Sequence, residues 1–127
     1  DVRLRLASLW DGGWIPERGI RSFDASQVPD GLFLFANGRQ VAVEVENSLK
    51  GRTRFVNRLK FWGASEVAVV LFVATSPELY TALEGYLAEA PDSPICCLTT
   101  YESLKSESPT VWSKEGALGL FAQRMLP

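Results

Sequence analysis

Residues 29–50 read PDGLFLFANGRQVAVEVENSLK, and the class of the fold turns on them. The segment 31–35 is short and apolar, the mark of a strand, and it follows Pro29-Asp30. Asn37-Gly38 is a strong signal for a two-residue hairpin turn, whose central positions both need positive φ. Residues 40–46 then alternate with period two. Val41, Val43 and Val45 fall on one face of the returning strand, and Ala42, Glu44 and Glu46 on the other. A β-hairpin with two carboxylates on one face therefore lies near the centre of the chain.

Downstream, the spacing predicts a helix over 52–62, because Phe55, Leu59 and Trp62 form an apolar stripe at i, i+4 and i+7. Lys50, Arg54 and Arg58 fall four apart and form a separate basic stripe. Residues 66–74 make a near-continuous apolar run, the pattern of a strand buried on both faces. Ser76-Pro77-Glu78 reads as a helix start, with a capping hydroxyl, proline at the first position and an early acid. That helix runs to about residue 90, with Leu79, Leu83 and Leu87 inward. Residues 94–99 predict a further strand, and the tail predicts a helical piece near Glu102 and another over 116–125.

Upstream, residues 2–10 are ambiguous between strand alternation and a helix face. Asp11-Gly12-Gly13 breaks the chain, as a plain turn in preference to an anion-binding loop. Pro16 opens a short helical turn carrying Glu17. Asp24 and Asp92 stand beside turn residues. The order of hairpin, helix, strand, helix, strand implies crossover connections. It predicts an α/β fold, a mixed central β-sheet flanked by helices.

The 127 residues suit one domain. With 46% hydrophobic and 22% charged residues, the composition is that of a globular chain. The longest apolar run falls far short of the ~20 residues of a membrane helix, and no basic-then-apolar leader is visible. No membrane partner is expected. Because the chain begins at Asp1, it is expected to be a piece of a longer protein. Cys96 and Cys97 are adjacent, so on a strand they point to opposite faces and make a poor disulfide. They read as structural thiols of a reducing, cytoplasmic setting.

There is no histidine, which excludes Ser-His and Cys-His catalysis and His-ligated zinc. Any chemistry must rest on carboxylates, Lys, Arg, hydroxyls or an oxygen-bound metal. The net charge of −2 and pI near 5.2 argue against a general nucleic-acid binder. Yet Lys50, Arg52, Arg54, Arg58 and Lys60 crowd into the segment after Glu46 with no acid among them. Trp10, Trp14, Trp62 and Trp112 read as packing residues in preference to base-stacking platforms.

Glu44 and Glu46 lie roughly 6–7 Å apart along their strand face. Like charges so placed raise a pKa or call for a cation, and a hard divalent ion such as Mg²⁺ suits oxygen ligands. Asp30, across the hairpin, supplies a third oxygen donor. Such a metal activates water and steadies charge on a phosphate. Lys50, four residues beyond Glu46, is placed to contact a scissile phosphate, and Arg52, Arg54 and Arg58 to contact neighbouring ones. Set against this, an isolated Glu-x-Glu strand face and a basic helix stripe are each most often solvated surfaces.

Pro29-Asp30-Gly31, the hairpin, Val43-Glu44-Val45-Glu46 and then Lys50 together resemble the PD-(D/E)XK nuclease superfamily. Trp14-Ile15-Pro16-Glu17-Arg18 resembles the segment that supplies the superfamily's early glutamate. More narrowly, residues 14–62 are similar to domains of plasmid replication-relaxation and mobile-element proteins, where such a domain often follows a winged-helix DNA-binding domain. The resemblance implies a restriction-endonuclease-like core and an N-terminal DNA-binding domain beyond this chain. It assigns Asp30 to the aspartate of the PD element, Glu44 to the acid of the next strand and Glu17 to the early helix glutamate. The departure is Glu46, where lysine is usual; Lys50 stands as a displaced functional lysine.

Two expectations follow. In the first, the chain is a metal-dependent DNA endonuclease domain of a plasmid, phage or mobile element. Mg²⁺ or Mn²⁺ is held by Asp30 and Glu44, with Glu46 as third ligand or general base. In the second, the fold persists without catalysis and binds DNA or a partner protein of a replication, mobilisation or regulatory complex. A small α/β domain with purely structural acids is the third reading.

Overall fold

The computed structural model describes residues 2–9, 12–15, 30–35, 38–49, 51–63, 67, 69–89, 95–107, 109–113 and 116–119. Among the described residues the elements are, in chain order, α1 (Val2–Leu9), β1 (Gly12–Trp14), β2 (Gly31–Phe35), β3 (Gln40–Glu46), α2 (Arg52–Gly63), β4 (Val69–Ala74), α3 (Pro77–Ala88), β5 (Ile95–Thr100), α4 (Tyr101–Lys105), β6 (Thr110–Ser113) and β7 (Gly116–Gly119). The strands form one seven-stranded mixed sheet in sequential order. β3, β4 and β5 are parallel, and β1, β2, β6 and β7 extend the sheet antiparallel on either side. The α/β class expected from the hairpin-helix-strand-helix-strand order is the observed one.

Both crossover helices cover the same face, as successive crossovers of one hand stepping in one direction require. Phe55, Leu59 and Trp62 of α2 and Leu83 and Leu87 of α3 pack with Ala42, Val70, Phe72 and Leu98 of the sheet. The opposite face buries Val41, Val43, Leu71, Val73 and Cys97 beneath Leu6 of α1 and Leu104 of α4. β4 is buried at every position, which explains its unbroken apolar run. Cys96 and Cys97 are thiols, not joined in a disulfide, and divide between the two faces, as adjacent strand residues must. α3 starts where the proline and cap indicated: Ser76 accepts a hydrogen bond from the Leu79 N–H at 3.2 Å. Trp14, Trp62 and Trp112 all pack into the two cores; Trp10 lies outside the described residues. Among the described residues no helix is long and apolar enough to cross a membrane.

Three details depart from the sequence pattern. Residues 116–119 are a strand paired with β6, not the start of a helix over 116–125. Gly116 and Gly119 weaken a helix there, and the neighbouring strand supplies a complete ladder instead; β6 itself carried no clear alternation. Gly12 and Gly13, read as part of a turn over 11–13, instead join Trp14 in a strand that pairs with β2, and Trp14 lies edge-on to Phe33, ring centres 5.2 Å apart. Its indole lies directly over Gly31, where a Cβ would come within 2.7 Å of the ring. The region of Pro16, Glu17, Asp24 and Asp92 lies outside the described residues.

The third departure matters for the site. Phe35 and Arg39 close the hairpin, with Phe35 N–H donating to the Arg39 carbonyl and Gly38 N–H to the Phe35 carbonyl, both at 2.9 Å. Three residues therefore separate the closing pair, with Gly38 at φ +87°, in place of the two that Asn-Gly suggests. Glycine takes this left-handed conformation without a side-chain penalty. The extra residue sets the register: Gly31 pairs with Val43, so one step further Asp30 comes level with Glu44. A two-residue turn would have set Asp30 against Val45 and on the other face.

Candidate functional site

The carboxyl end of β3 is where the site forms, as is usual for ligand sites in open α/β sheets. Thr75, just past β4, pins this end: its N–H and its hydroxyl both donate to the Glu46 carbonyl at 3.1 Å. A cleft of about 520 Å³ opens between the ends of β2 and β3, the start of α2 and the side of α3. Asp30, Glu44, Glu46, Arg54 and Arg58 all line it, with Tyr86 of α3 on the far wall. Five of the residues singled out from the sequence are thus brought together. Among the described residues of the lining, three carboxylates stand against two guanidinium groups.

Asp30 sits at the bend preceding β2 and is exposed. Its Oδ2 accepts the Val45 N–H at 2.7 Å, which fixes the carboxylate against β3 where strand pairing has not begun. A carboxylate has about four acceptor positions, so one such bond leaves it able to take a further partner. Glu44 is buried between the sheet and α2, 6% exposed. Both its oxygens are engaged by Arg58: Nε donates to Oε2 at 2.9 Å and Nη2 to Oε1 at 2.7 Å. This is the fork geometry that makes Arg–carboxylate pairs strong. The guanidinium is also held over the Trp62 and Phe61 rings, 5.1 and 5.7 Å from their centres. Glu46, on the same strand face, is buried as well.

Arg54 is exposed at the cleft, one turn before Arg58. Arg52 stands apart from the lining: it pairs with Glu89 of the α3 cap and reaches over the Tyr86 ring at 5.9 Å. Both partners of that pair are well exposed, so it contributes little to stability. Glu17 and Lys50 lie outside the described residues.

The donors are hard oxygens, of the character that Mg²⁺ or Mn²⁺ takes. In position, however, no group of three or more Asp, Glu, Cys or His side chains among the described residues is close enough to cage an ion. Asp30 and Glu44 come level across the hairpin, and Mg²⁺ is an ion that commonly takes one or two carboxylates with waters and substrate phosphate. Glu44 meanwhile already carries a cation of the protein's own.

Sequence reasoning did not foresee the Arg58–Glu44 fork or the place of Tyr86. A signal for the first was present: Arg58 occupies the i+3 slot of the Phe55, Leu59, Trp62 stripe, an inward position normally apolar. Compared with family models, with curated proteins and with solved structures, the chain matches none.

Proposed function

We propose that the cleft hydrolyses phosphodiester bonds in DNA with the help of a divalent ion, in the manner of the nuclease superfamily that residues 29–50 resemble. One observation supports this above others. Asp30, at the bend that enters β2, and Glu44 and Glu46 of β3, in the register that levels Asp30 with Glu44, line the same cleft as Arg54 and Arg58. Asp30 and Glu44 would hold Mg²⁺ or Mn²⁺, which when bound would activate water and offset charge on the phosphate. Glu46 serves as general base, and Arg54 binds a flanking phosphate. Lys50 and Glu17 take the phosphate-supporting and marginal roles given by the resemblance, which also suggests the plasmid, phage or mobile-element setting.

The test is nicking of supercoiled plasmid in Mg²⁺ and in Mn²⁺ by the wild type, Asp30→Asn and Glu44→Gln. The expected result is cleavage by the wild type that falls at least about 100-fold in either variant, as when a stabiliser of transition-state charge is lost. A wild type inert with both ions sinks the catalytic reading.

A second reading, a non-catalytic module that binds DNA or a partner protein, is favoured by a specific observation. The Arg58 fork satisfies Glu44 without any ion, and Glu46 stands where the superfamily usually has lysine. Gel-shift binding of DNA, weakened by Arg54→Ala and accompanied by no cleavage, is its signature.

A further inference from the structure

We infer that the solvent face of α2 is a track for the phosphates of a DNA strand, in which Asn57 and Lys60 continue the line that Arg54 begins at the cleft. The inference rests on the reading above that the partner is DNA, with or without cleavage, and needs no divalent ion. Residues 47–65 contain five cations and no acid, in a chain whose net charge is −2. Of the four cations on α2, Arg58 is engaged by Glu44 and Arg52 by Glu89. Arg54 and Lys60 are exposed, as is Asn57 between them. Among the described residues neither Arg54 nor Lys60 has an acidic partner.

Arg54, Asn57 and Lys60 are spaced i, i+3 and i+6, which makes them one of the oblique side-chain rows of a helix. The row rises about 9 Å along the axis, against about 3.4 Å of axis per phosphate of one DNA strand. All three side chains are of types that donate to phosphate oxygens. Arg54 and Asn57 also line the cleft, so the row leads out of it without a break. Arg54 stands in the first turn of α2, where the helix dipole disfavours a cation. It also precedes Arg58 by four residues, a like-charge spacing that weakens a helix. No acid in that first turn offsets either cost, whereas a polyanion laid along the row offsets both. The row is one side chain wide, and the exposed Asp30 carboxylate lies at its cleft end. That shape and charge suit a narrow strand in preference to a flat anionic surface.

The experiment is fluorescence anisotropy of two labelled DNA duplexes of unrelated sequence, titrated in EDTA over a range of NaCl concentrations. The proteins are the wild type, Lys60→Gln, Asn57→Ala, the Arg54→Gln/Lys60→Gln double variant and Lys105→Gln. Lys105 belongs to α4, which packs on the opposite face of the sheet. Each lost phosphate contact lowers the slope of log affinity against log salt by about 0.9 and weakens binding about eightfold at about 0.1 M salt. Lys60→Gln should show one such step and the double variant two, equally on both duplexes, because phosphate contacts carry no sequence information. Asn57→Ala, which removes a neutral donor, should weaken binding with the slope unchanged, and Lys105→Gln should match the wild type. Lys60→Gln with wild-type affinity and slope, or Lys105→Gln with as large a loss, overturns the track while leaving DNA binding standing. Polyglutamate bound as tightly as the duplexes overturns the assignment to a DNA strand. A wild type that binds neither duplex overturns the DNA reading, and the track with it.

Discussion

Removing one partner of the Arg58–Glu44 fork should cost more than removing the other. Arg58→Met removes both hydrogen bonds of the fork from the Glu44 side chain, 8% exposed, and breaking a buried pair in this way costs about 3–5 kcal/mol. Methionine retains contact with Trp62 through its thioether, so packing loss adds little. Glu44→Gln keeps an amide oxygen for the guanidinium, and the long Arg58 side chain, 18% exposed, can carry its charge toward water. That change should cost about 1–2 kcal/mol, the size of one weakened charge-assisted bond. In the double variant no charge is stranded, so it should be more stable than Arg58→Met alone, with a coupling energy of about 1.5–3 kcal/mol. Urea unfolding by linear extrapolation measures all four proteins. Costs that simply add, or an Arg58→Met variant within about 0.5 kcal/mol of the wild type, would show that the fork carries no such burden.

The parts of this fold written in local periodicity were legible. β3, α2, β4, α3 and β5 lie within a few residues of where alternation, the Phe55–Leu59–Trp62 stripe, the 67–74 run and the Ser76-Pro77 cap put them. What escaped was decided by partners distant in the chain. Gly12–Trp14 and Gly116–Gly119 are short and glycine-bearing, and they are strands because β2 and β6 offer them free edges. The hairpin register was hidden because Asn37-Gly38 is compatible with both two- and three-residue closures. Only the bond between Phe35 and Arg39 separates them.

The site divides the same way. The placement of Glu44 and Glu46 on one face follows from alternation alone, and both lie on the helix-covered face. That Asp30 joins them depends on the hairpin register. Arg58 was legible as part of a basic stripe, yet its position in the inward slot of α2 made it a partner for the sheet rather than a solvated charge. A cation at an apolar-stripe position, facing a strand with an acid at a matching position, is the pattern that would have disclosed it.

Three further outcomes are expected. Leu87→Ala, at a fully buried position, should lose about 2–5 kcal/mol in urea unfolding, whereas Leu49→Ala, 53% exposed, should stay within about 0.5 kcal/mol of the wild type. Ser76→Ala removes the hydroxyl that caps α3 and should cost about 1 kcal/mol by the same measurement. Burial, and secondarily the charge of Glu84, push the Tyr80 phenol above its ordinary value. The folded protein therefore keeps that proton where the unfolded chain has lost it. This contribution to stability is complete below the ordinary tyrosine range and is lost as pH rises through the folded value. Ultraviolet titration should show a late phenolate absent from Tyr80→Phe, and a Tyr80 ionising with or before free tyrosine would contradict the assignment.

The central claim, that Asp30 and Glu44 together hold a divalent ion, is tested most directly by calorimetric titration of Mn²⁺ into the wild type and into the Asp30→Asn/Glu44→Gln double variant. Folding of both is checked beforehand by circular dichroism. Saturable binding of one ion by the wild type, abolished in the double variant, is the result the account predicts. A wild type that takes up no Mn²⁺, or a double variant that binds it as well as the wild type, contradicts it.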